Sequence, residues 1–104
     1  MIRQLRIYTI NKGHLDDFVK GWLEGVYPLH LQHGYRIERA GTIPERNEFV
    51  WEVTYDGDED WDAKQAAYYG SPERAALEPD PAQWIAKTER WFVNSVLPLS
   101  LIHI

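Results

Sequence analysis

IRQLRIYTI, residues 2–10, alternates between two sets of side chains. A period of two is typical of a β-strand, whose successive side chains point to opposite faces of a sheet. Leu5, Ile7 and Thr9 would share one face, and Gln4, Arg6 and Tyr8 would share the other. We therefore predict that a strand runs from Ile2 to Ile10.

An amphipathic helix is predicted after the turn Asn11-Lys12-Gly13. Its apolar residues recur at helical spacing and are Leu15, Phe18, Val19, Trp22, Leu23 and Val26. Pro28 cannot continue a helix interior without a kink, but it suits the first turn of a new helix. We therefore expect an elbow and a short, offset helix from Pro28 to His33, ended by Gly34.

A hairpin is predicted in the middle of the chain. Tyr35 to Ile43 and Phe49 to Tyr55 have the composition of strands, and Pro44 begins a polar turn between them. Acidic residues precede Trp61, and carboxylates stabilise the unpaired amides of a helix start. A helix is therefore expected from about Trp61 to Tyr69.

Two further helix starts are predicted in the last third of the chain. Ser71-Pro72-Glu73 and Asp80-Pro81 both place a capping residue before a proline, which is typical of a first helical turn. We expect a short helix at the first site and a longer one from Ala82 to Arg90 at the second. The apolar segment Trp91 to Leu97 then predicts strand four.

The predicted fold class is α+β, ferredoxin-like, with the order βαββαβ on one antiparallel sheet. Helices would cover one face of this sheet, and a solvated second face should be polar. Its candidate residues are instead apolar or aromatic, and they are Tyr8, one of Val50 and Trp51, and one of Trp91 and Phe92. We therefore expect a homodimer whose two sheets pack face to face as a dimeric α/β barrel.

Composition excludes several classes of partner. The chain has 104 residues, a net charge of -5 and no cysteine. Its acidic balance disfavours nucleic acid and anionic membrane surfaces, and no segment has the length of apolar sequence that spans a membrane. The lack of cysteine fits a reducing compartment, so the cytoplasm is the expected location.

The last six residues break every pattern described above. Leu99 to Ile104 match, codon for codon, the translation of the sequencing-library adapter CTGTCTCTTATACACATC. We therefore interpret residues 99–104 as an adapter-derived tail on a gene from an environmental assembly, and residues 1–98 as the domain. His103 accordingly carries no functional weight.

Several motifs resemble the NIPSNAP family, in particular a bacterial branch of it. They are Leu5-Arg6-Ile7-Tyr8, Lys12-Gly13, Pro28-Leu29-His30, His33-Gly34-Tyr35, Asn47-Glu48-Phe49-Val50-Trp51, Tyr68-Tyr69, Ser71-Pro72-Glu73-Arg74 and Asp80-Pro81-Ala82. One departure is Val53, which stands where many members carry Trp. The resemblance runs from about residue 2 to 98 and implies a dimeric α/β barrel. It implies little about a reaction, because most bacterial members have no assigned activity.

Arg6 and Tyr8 form the best polar pair, because residues two apart on a strand share a face. In a closed barrel they would face the cavity, where a guanidinium can bind a carboxylate or enolate and a phenol can donate a proton. The alternative is structural. Arg6 would then pair with an acid such as Glu52 or Glu38, and Tyr8 would lie in the dimer interface.

His30 and His33 lie one helical turn apart, and either could act as a general base if it faces the cavity. No third ligand is evident, so no metal site is predicted. His33 could instead cap the last helical carbonyls. Trp51, Tyr68 and Tyr69 are candidate substrate contacts, and their alternative role is to pack helix against sheet.

Two functions remain open at this point. The first is a cofactor-independent acid/base enzyme of lyase, isomerase or monooxygenase type, acting on a small apolar or aromatic molecule. The second is a non-catalytic domain that binds a small molecule or a protein. An unfilled pocket of about a few hundred cubic ångströms beside Arg6 and Tyr8 would favour the enzyme, and a salt-bridged Arg6 with no void beside it would oppose it.

Overall fold

The structure is a computed structural model that describes residues 1–97. Its strands and main helices are β1 (Ile2–Ile10), α1 (Leu15–Gly21), a π-helical segment (Trp22–Val26), α2 (Tyr27–Gln32), β2 (Arg36–Ile43), β3 (Glu48–Tyr55), α3 (Trp61–Tyr69), α4 (Pro72–Ala75) and β4 (Ile85–Phe92). Short 3₁₀ turns occupy Pro44–Arg46 and Pro81–Trp84. Pro98 and the interpreted tail, residues 99–104, lie outside the described residues. Among residues 1–97, no helix is both long and apolar enough to cross a bilayer.

The four strands form one antiparallel sheet in the order β2-β3-β1-β4. This is the ferredoxin-like βαββαβ arrangement, and the predicted fold class is confirmed. β1 is a central strand, bonded to β3 on one side and to β4 on the other. Arg6 therefore lies opposite Trp51 on β3 and opposite Arg90 on β4.

The helices cover the sheet face that carries Gln4, Arg6 and Tyr8. Tyr8 meets Phe18 of α1 edge-on at 5.9 Å between ring centroids, and Trp51 meets Trp22 at 5.3 Å. The prediction that Tyr8 lies on the uncovered face is therefore wrong, and of the two alternatives Val50 and Trp51 it is Val50 that lies there. Alternation separates the two faces of a strand but does not say which one a helix will cover, and here the helices take the face with the larger aromatic rings.

The open face of the sheet carries Leu5 and Ile7 of β1 with Val50 of β3, all three half-buried. Trp91 of β4 lies opposite Leu5 and is 60% exposed. Arg3 and Glu52 form an ion pair on the same face at 3.8 Å. This face is therefore mixed, with an apolar centre and charged surroundings.

A single helical rod replaces the predicted elbow. Trp22 and Tyr27 have α-helical backbone angles, and the Tyr27 amide donates to the Trp22 carbonyl five residues back. This wider π-type turn lies just before Pro28, which has no amide hydrogen to contribute to the rod. The proline therefore lies in the first turn of α2 without ending the helix.

The helix predicted from Ala82 to Arg90 is wrong. Pro81–Trp84 forms one 3₁₀ turn, and β4 begins at Ile85 and ends at Phe92. Alanine, lysine, glutamate and arginine favour a helix in isolation, but β1 offers a full row of backbone partners to this segment. The helix propensity of these residues amounts to roughly a few tenths of a kcal/mol per residue, and pairing with a central strand outweighs it.

The core between helices and sheet is rich in aromatic residues. Its buried rings are Tyr8, Phe18, Trp22, Tyr35, Phe49, Trp51, Tyr55, Trp61 and Tyr68. Most of these rings meet edge-to-face, for example Phe18 with Phe49 at 5.0 Å. Such pairs stabilise a core by about 0.5–1.5 kcal/mol beyond the area that they bury. The aromatic core also forms the walls of the candidate site.

Two local hydrogen bonds fix the start of α3 and the turn between β2 and β3. The Asp60 side chain accepts a hydrogen bond from the Ala63 amide and so caps the start of α3. Asn47 has a left-handed backbone at φ 57°, and its side-chain amide donates to the Ile10 carbonyl at 3.0 Å. The first bond orients α3 over the sheet, and the second ties the β2–β3 turn to the end of β1.

Candidate active site

A small cavity lies between the helical rod and the sheet. The rod supplies Phe18, Trp22, Val26 and His30, the sheet supplies Tyr8 and Trp51, and Tyr68, Tyr69 and Arg74 lie on the α3–α4 side. Its volume is about 30 Å³. This volume holds about one or two water molecules. A formed substrate pocket has a volume of roughly a few hundred cubic ångströms, so this cavity is much smaller.

The π-helical segment explains why four residues of the rod share this cavity. Phe18, Trp22, Val26 and His30 are spaced by four along the sequence. In a regular α-helix, three steps of four residues would rotate the last side chain by about 120° relative to the first. A turn closed five residues back winds more slowly, so His30 returns toward the face that carries Phe18.

His30 is a buried histidine with one free nitrogen, and only 1% of its surface is exposed. Its Nδ1 lies 2.9 Å from the Val26 carbonyl, so Nδ1 carries the proton and donates it. Its Nε2 has no hydrogen-bond partner among the described residues. Burial lowers the pKa of His30 to about 3, and the cations Arg6 and Arg74 add to that effect while the Val26 bond opposes it. The ring is therefore neutral at pH 7, with a bare lone pair on Nε2.

Three more polar atoms on the cavity residues lack partners within residues 1–97. They are the indole nitrogens of Trp22 and Trp51 and the hydroxyl oxygen of Tyr68. A buried polar group without a partner costs about 1–3 kcal/mol, and folded proteins keep few of them. Together with His30 Nε2 they make two donors, one acceptor and one hydroxyl that have no partner among the described residues.

Arg6 is fully buried and has no acidic partner in the part of the chain that the structure describes. Its Nε donates to Gln4 at 2.8 Å, its Nη2 donates to Gln65 at 2.6 Å, and its Nη1 reaches the Tyr69 hydroxyl at 3.3 Å. Its guanidinium also lies 4.9 Å from the Trp51 ring centre. The pairing with Glu52 or Glu38 is not found, because Glu52 lies on the open face beside Arg3 and Glu38 binds Arg36.

Tyr8 and Tyr68 are the buried phenols beside this cation. Burial raises the pKa of Tyr8, while the nearby charge of Arg6 acts in the opposite direction. Burial likewise raises the pKa of Tyr68. Both phenols therefore hold their protons at pH 7 and can act as hydrogen-bond donors.

Tyr69 lines the cavity and contacts two arginines, Arg6 and Arg90. The Tyr69 ring is 41% exposed and packs edge-on against Tyr68 at 4.9 Å. Its hydroxyl accepts from Arg6 at 3.3 Å and from Arg90 at 3.2 Å. Arg90, Gln4 and Gln65 are not among the predicted site residues, because Arg90 falls in a predicted helix and glutamines carry no catalytic signature. Their one available signal was that Gln4 shares a face with Arg6.

Comparison with known proteins locates the chain by its fold. No protein-family model matches the sequence, and no curated protein matches it significantly. An uncharacterised NIPSNAP domain protein from Burkholderia xenovorans superposes with a TM-score of 0.78 at 20% identity, over 94% of this chain and 99% of that one. A NIPSNAP family protein from Agrobacterium tumefaciens gives 0.80 at 16% identity, over 94% and 97%. The chain has the NIPSNAP fold.

The NIPSNAP fold also relates the chain to a second group of structures. A proposed antibiotic biosynthesis monooxygenase from Nitrosomonas europaea superposes with a TM-score of 0.64 at 13% identity. The match covers 93% of this chain and 100% of that protein. The predicted resemblance to NIPSNAP proteins is confirmed for the fold.

Within this NIPSNAP fold, the predicted site residues fall into two groups. Tyr8, His30, Trp51, Tyr68 and Tyr69 line the cavity between rod and sheet, and Arg6 contacts Trp51 and Tyr69 from behind this lining. His33 does not line it, because its ring lies behind Tyr68 at 5.2 Å and its backbone amide bonds to Leu29 and His30 carbonyls. Residues 1–97 hold no cluster of three or more acidic or histidine side chains arranged for a metal ion.

Proposed function

We propose that the protein binds a small apolar or aromatic molecule in this cavity and acts on it as a cofactor-independent acid/base enzyme. One observation carries the proposal. Neutral His30 lines an aromatic cavity, its Nε2 has no hydrogen-bond partner among residues 1–97, and the buried cation Arg6 has no carboxylate partner there. Buried charges and polar groups are normally paired, and such exceptions concentrate at functional sites. A ligand with an acidic hydrogen and an anionic oxygen would supply both missing partners.

The proposed roles follow from position. Arg6 holds the anionic group of the ligand, and His30 Nε2 accepts a proton from the adjacent atom. The imidazolium formed in this way is disfavoured by burial, but the negative charge left on the ligand favours it. Returning the proton to a different atom of the same molecule completes an isomerisation, with Tyr8 or Tyr68 as the alternative donor.

The other predicted residues act through shape and position. Trp51 and Tyr68 form the walls against which a flat ring would stack. His33 packs on Tyr68 and so positions it. Monooxygenation is a second candidate reaction, supported by the proposed monooxygenase with the same fold, and it would need dioxygen as a co-substrate.

A homodimer is part of this proposal, and it is supported by the open face of the sheet. Leu5, Ile7 and Val50 are only half-buried there by residues 1–97, and a cleft of about 580 Å³ is lined by Leu5, Val50 and residues of β2. Two such faces packed together would exclude water from both. Light scattering on the intact protein should give the dimer mass, Ile7→Glu should give the monomer mass, and the exposed helix variant Leu31→Glu should remain dimeric. A monomeric unmodified protein would contradict the dimer.

The cytoplasm is the proposed location, because a chain without cysteine gains nothing from an oxidising compartment.

A non-catalytic binding domain is the second candidate, favoured by the small cavity volume of about 30 Å³. The same contacts would then hold a ligand without changing it. One experiment separates the two candidates. Small aromatic acids, phenols and enolisable ketones are added to the protein in turn. The fluorescence of the site tryptophans reports binding. NMR reports conversion of the ligand or exchange of its hydrogen for deuterium.

His30→Asn is the informative variant, because its amide can still donate to the Val26 carbonyl while Nε2 is lost. An enzyme should lose conversion or exchange by at least about 100-fold in this variant, which is the usual contribution of a general base. His14→Asn, at an exposed site paired with Asp17, is the matched control and should behave like the unmodified protein. Binding without any conversion would support the second candidate, and absence of binding would reject both.

A further inference from the structure

Two arginines face each other beside Tyr69, one of the residues that line the cavity. Arg6 and Arg90 are direct cross-strand neighbours on β1 and β4, so their side chains leave the sheet on the same face. Both donate to one atom, the Tyr69 hydroxyl, at 3.3 and 3.2 Å. The Arg90 guanidinium also lies 5.6 Å from the centre of the Tyr69 ring.

The pair lacks any opposite charge nearby. Neither arginine has a carboxylate within ion-pair distance in the described chain, although the protein has 16 acidic residues against 11 basic ones. Like charges directly across two strands repel each other, and the repulsion is larger where one of them is fully buried. The Tyr69 hydroxyl accepts one hydrogen bond from each guanidinium, and solvent reaches the exposed Arg90 but not the buried Arg6.

Arg6 is also fixed in direction. Gln4 and Gln65 bind its Nε and Nη2, and Gln65 is itself held because its amide donates to the Tyr35 hydroxyl at 2.7 Å. The remaining nitrogen, Nη1, donates over the longer distance of 3.3 Å to the Tyr69 hydroxyl. The longest of the three hydrogen bonds of this cation is therefore directed to Tyr69, which lines the cavity.

We propose that Arg6 and Arg90 form a carboxylate-binding site and that Tyr69 is its plug. The ligand carboxylate takes the position of the Tyr69 hydroxyl, accepting from both guanidinium groups, and the partly exposed ring moves outward. This enlarges the 30 Å³ cavity toward the solvent so that the ligand body lies against Trp51 and Tyr68. The inference rests on the proposed function for the location of the ligand and adds its class, a small aromatic carboxylate.

Binding of benzoate tests this site, with benzyl alcohol as the neutral probe of the same shape and inorganic phosphate as the competing anion. Calorimetry and tryptophan fluorescence follow each titration. Benzoate should bind at least about tenfold more tightly than benzyl alcohol, because charge-assisted bonds to two guanidinium groups exceed one neutral bond. Arg90→Gln should remove that preference and leave benzyl alcohol binding within about twofold.

Two further variants sharpen the result. Tyr69→Phe removes the competing hydroxyl and should tighten benzoate binding, whereas Gln65→Glu gives Arg6 an internal counter-charge and should weaken it. Arg46→Gln is the matched control, since Arg46 is exposed and paired with Glu48 outside the site. It should leave every affinity unchanged.

The outcomes distinguish failure of the carboxylate site from failure of the proposed ligand cavity. If benzyl alcohol binds and benzoate binds no more tightly, or if Arg90→Gln retains the benzoate preference, the carboxylate site is wrong and the cavity proposal stands. Phosphate that competes as strongly as benzoate also overturns the carboxylate assignment. If neither benzoate nor benzyl alcohol perturbs the tryptophans, both proposals fail.

Discussion

His30 should make the protein lose stability in mild acid, and His30→Asn should remove most of that loss. The folded protein holds the ring neutral down to a pKa of about 3, whereas the unfolded chain protonates it near the ordinary value of 6.5. Between these two values the unfolded state binds one more proton than the folded state. The free energy of unfolding contributed by this group is therefore fully present above the unfolded pKa and falls as the pH drops below it.

The size of the effect follows from the unfolded pKa alone at moderate pH. At about pH 5 the pH is about 1.5 units below the pKa of the histidine in the unfolded chain, and each unit of difference corresponds to about 1.4 kcal/mol. The unmodified protein should lose about 2 kcal/mol more than His30→Asn between pH 8 and pH 5. With the urea dependence of a small domain, this equals a shift of about 1 M in the unfolding midpoint.

Urea titrations of both proteins at the two pH values, followed by tryptophan fluorescence, measure this difference. Asparagine preserves the donor to the Val26 carbonyl, and titration of all other groups cancels when the two proteins are compared. His14→Asn, which removes a partly exposed histidine outside the cavity, is the control for replacing a histidine by asparagine. Equal pH dependence of the unmodified protein and His30→Asn would refute the assignment of His30 as a buried, neutral group.

Three further substitutions test the supports of the site by thermal or urea unfolding. Asp60→Ala should cost about 1 kcal/mol because it removes the cap of α3, while Asp60→Asn should stay within a few tenths. Asn47→Ala should cost about 2 kcal/mol, since alanine is strained at φ 57° and loses the bond to Ile10, and Asn47→Gly should cost about half of that. Gln65→Glu should raise stability at neutral pH by about 1 kcal/mol because a charged acceptor replaces an amide at Arg6. A neutral Asp60→Ala, an Asn47→Gly as damaging as the alanine, or a destabilising Gln65→Glu would each contradict the contact described.

The sequence predicts the elements that are determined locally. The period of two predicts β1, and the polar break at Pro44 predicts the hairpin, both to within a residue. Each of these signals is local, because it is carried by residues close together in the sequence. The prediction of a helix where β4 lies failed because tertiary structure overrides the local sequence preference. The residues from Ala82 onward favour a helix, and only the unpaired edge of β1 makes them a strand.

Most of the candidate residues come close together in the structure, but their arrangement could not be predicted from the sequence. Arg6 and Tyr8 share a face as their spacing requires, yet the spacing cannot say that α1 and α3 cover that face. His30 belongs to the cavity because a π-type turn changes the phase of the rod, and no periodicity in the sequence marks that turn. Arg90 joins Arg6 only through strand pairing, which depends on the fold.

The π-helical turn at Trp22–Val26 also affects how this chain should be aligned with other proteins. A turn closed five residues back contains one residue more than an α-helical turn of the same rise. A relative whose helix is regular throughout would therefore match Phe18 and His30 only if a one-residue gap is allowed between them. Without that gap, residues on one side of the turn are compared with the wrong neighbours, and the histidine is paired with a position on another face of the helix. Superposition in space, helix by helix, is the proper basis for asking which relatives keep a histidine in this cavity.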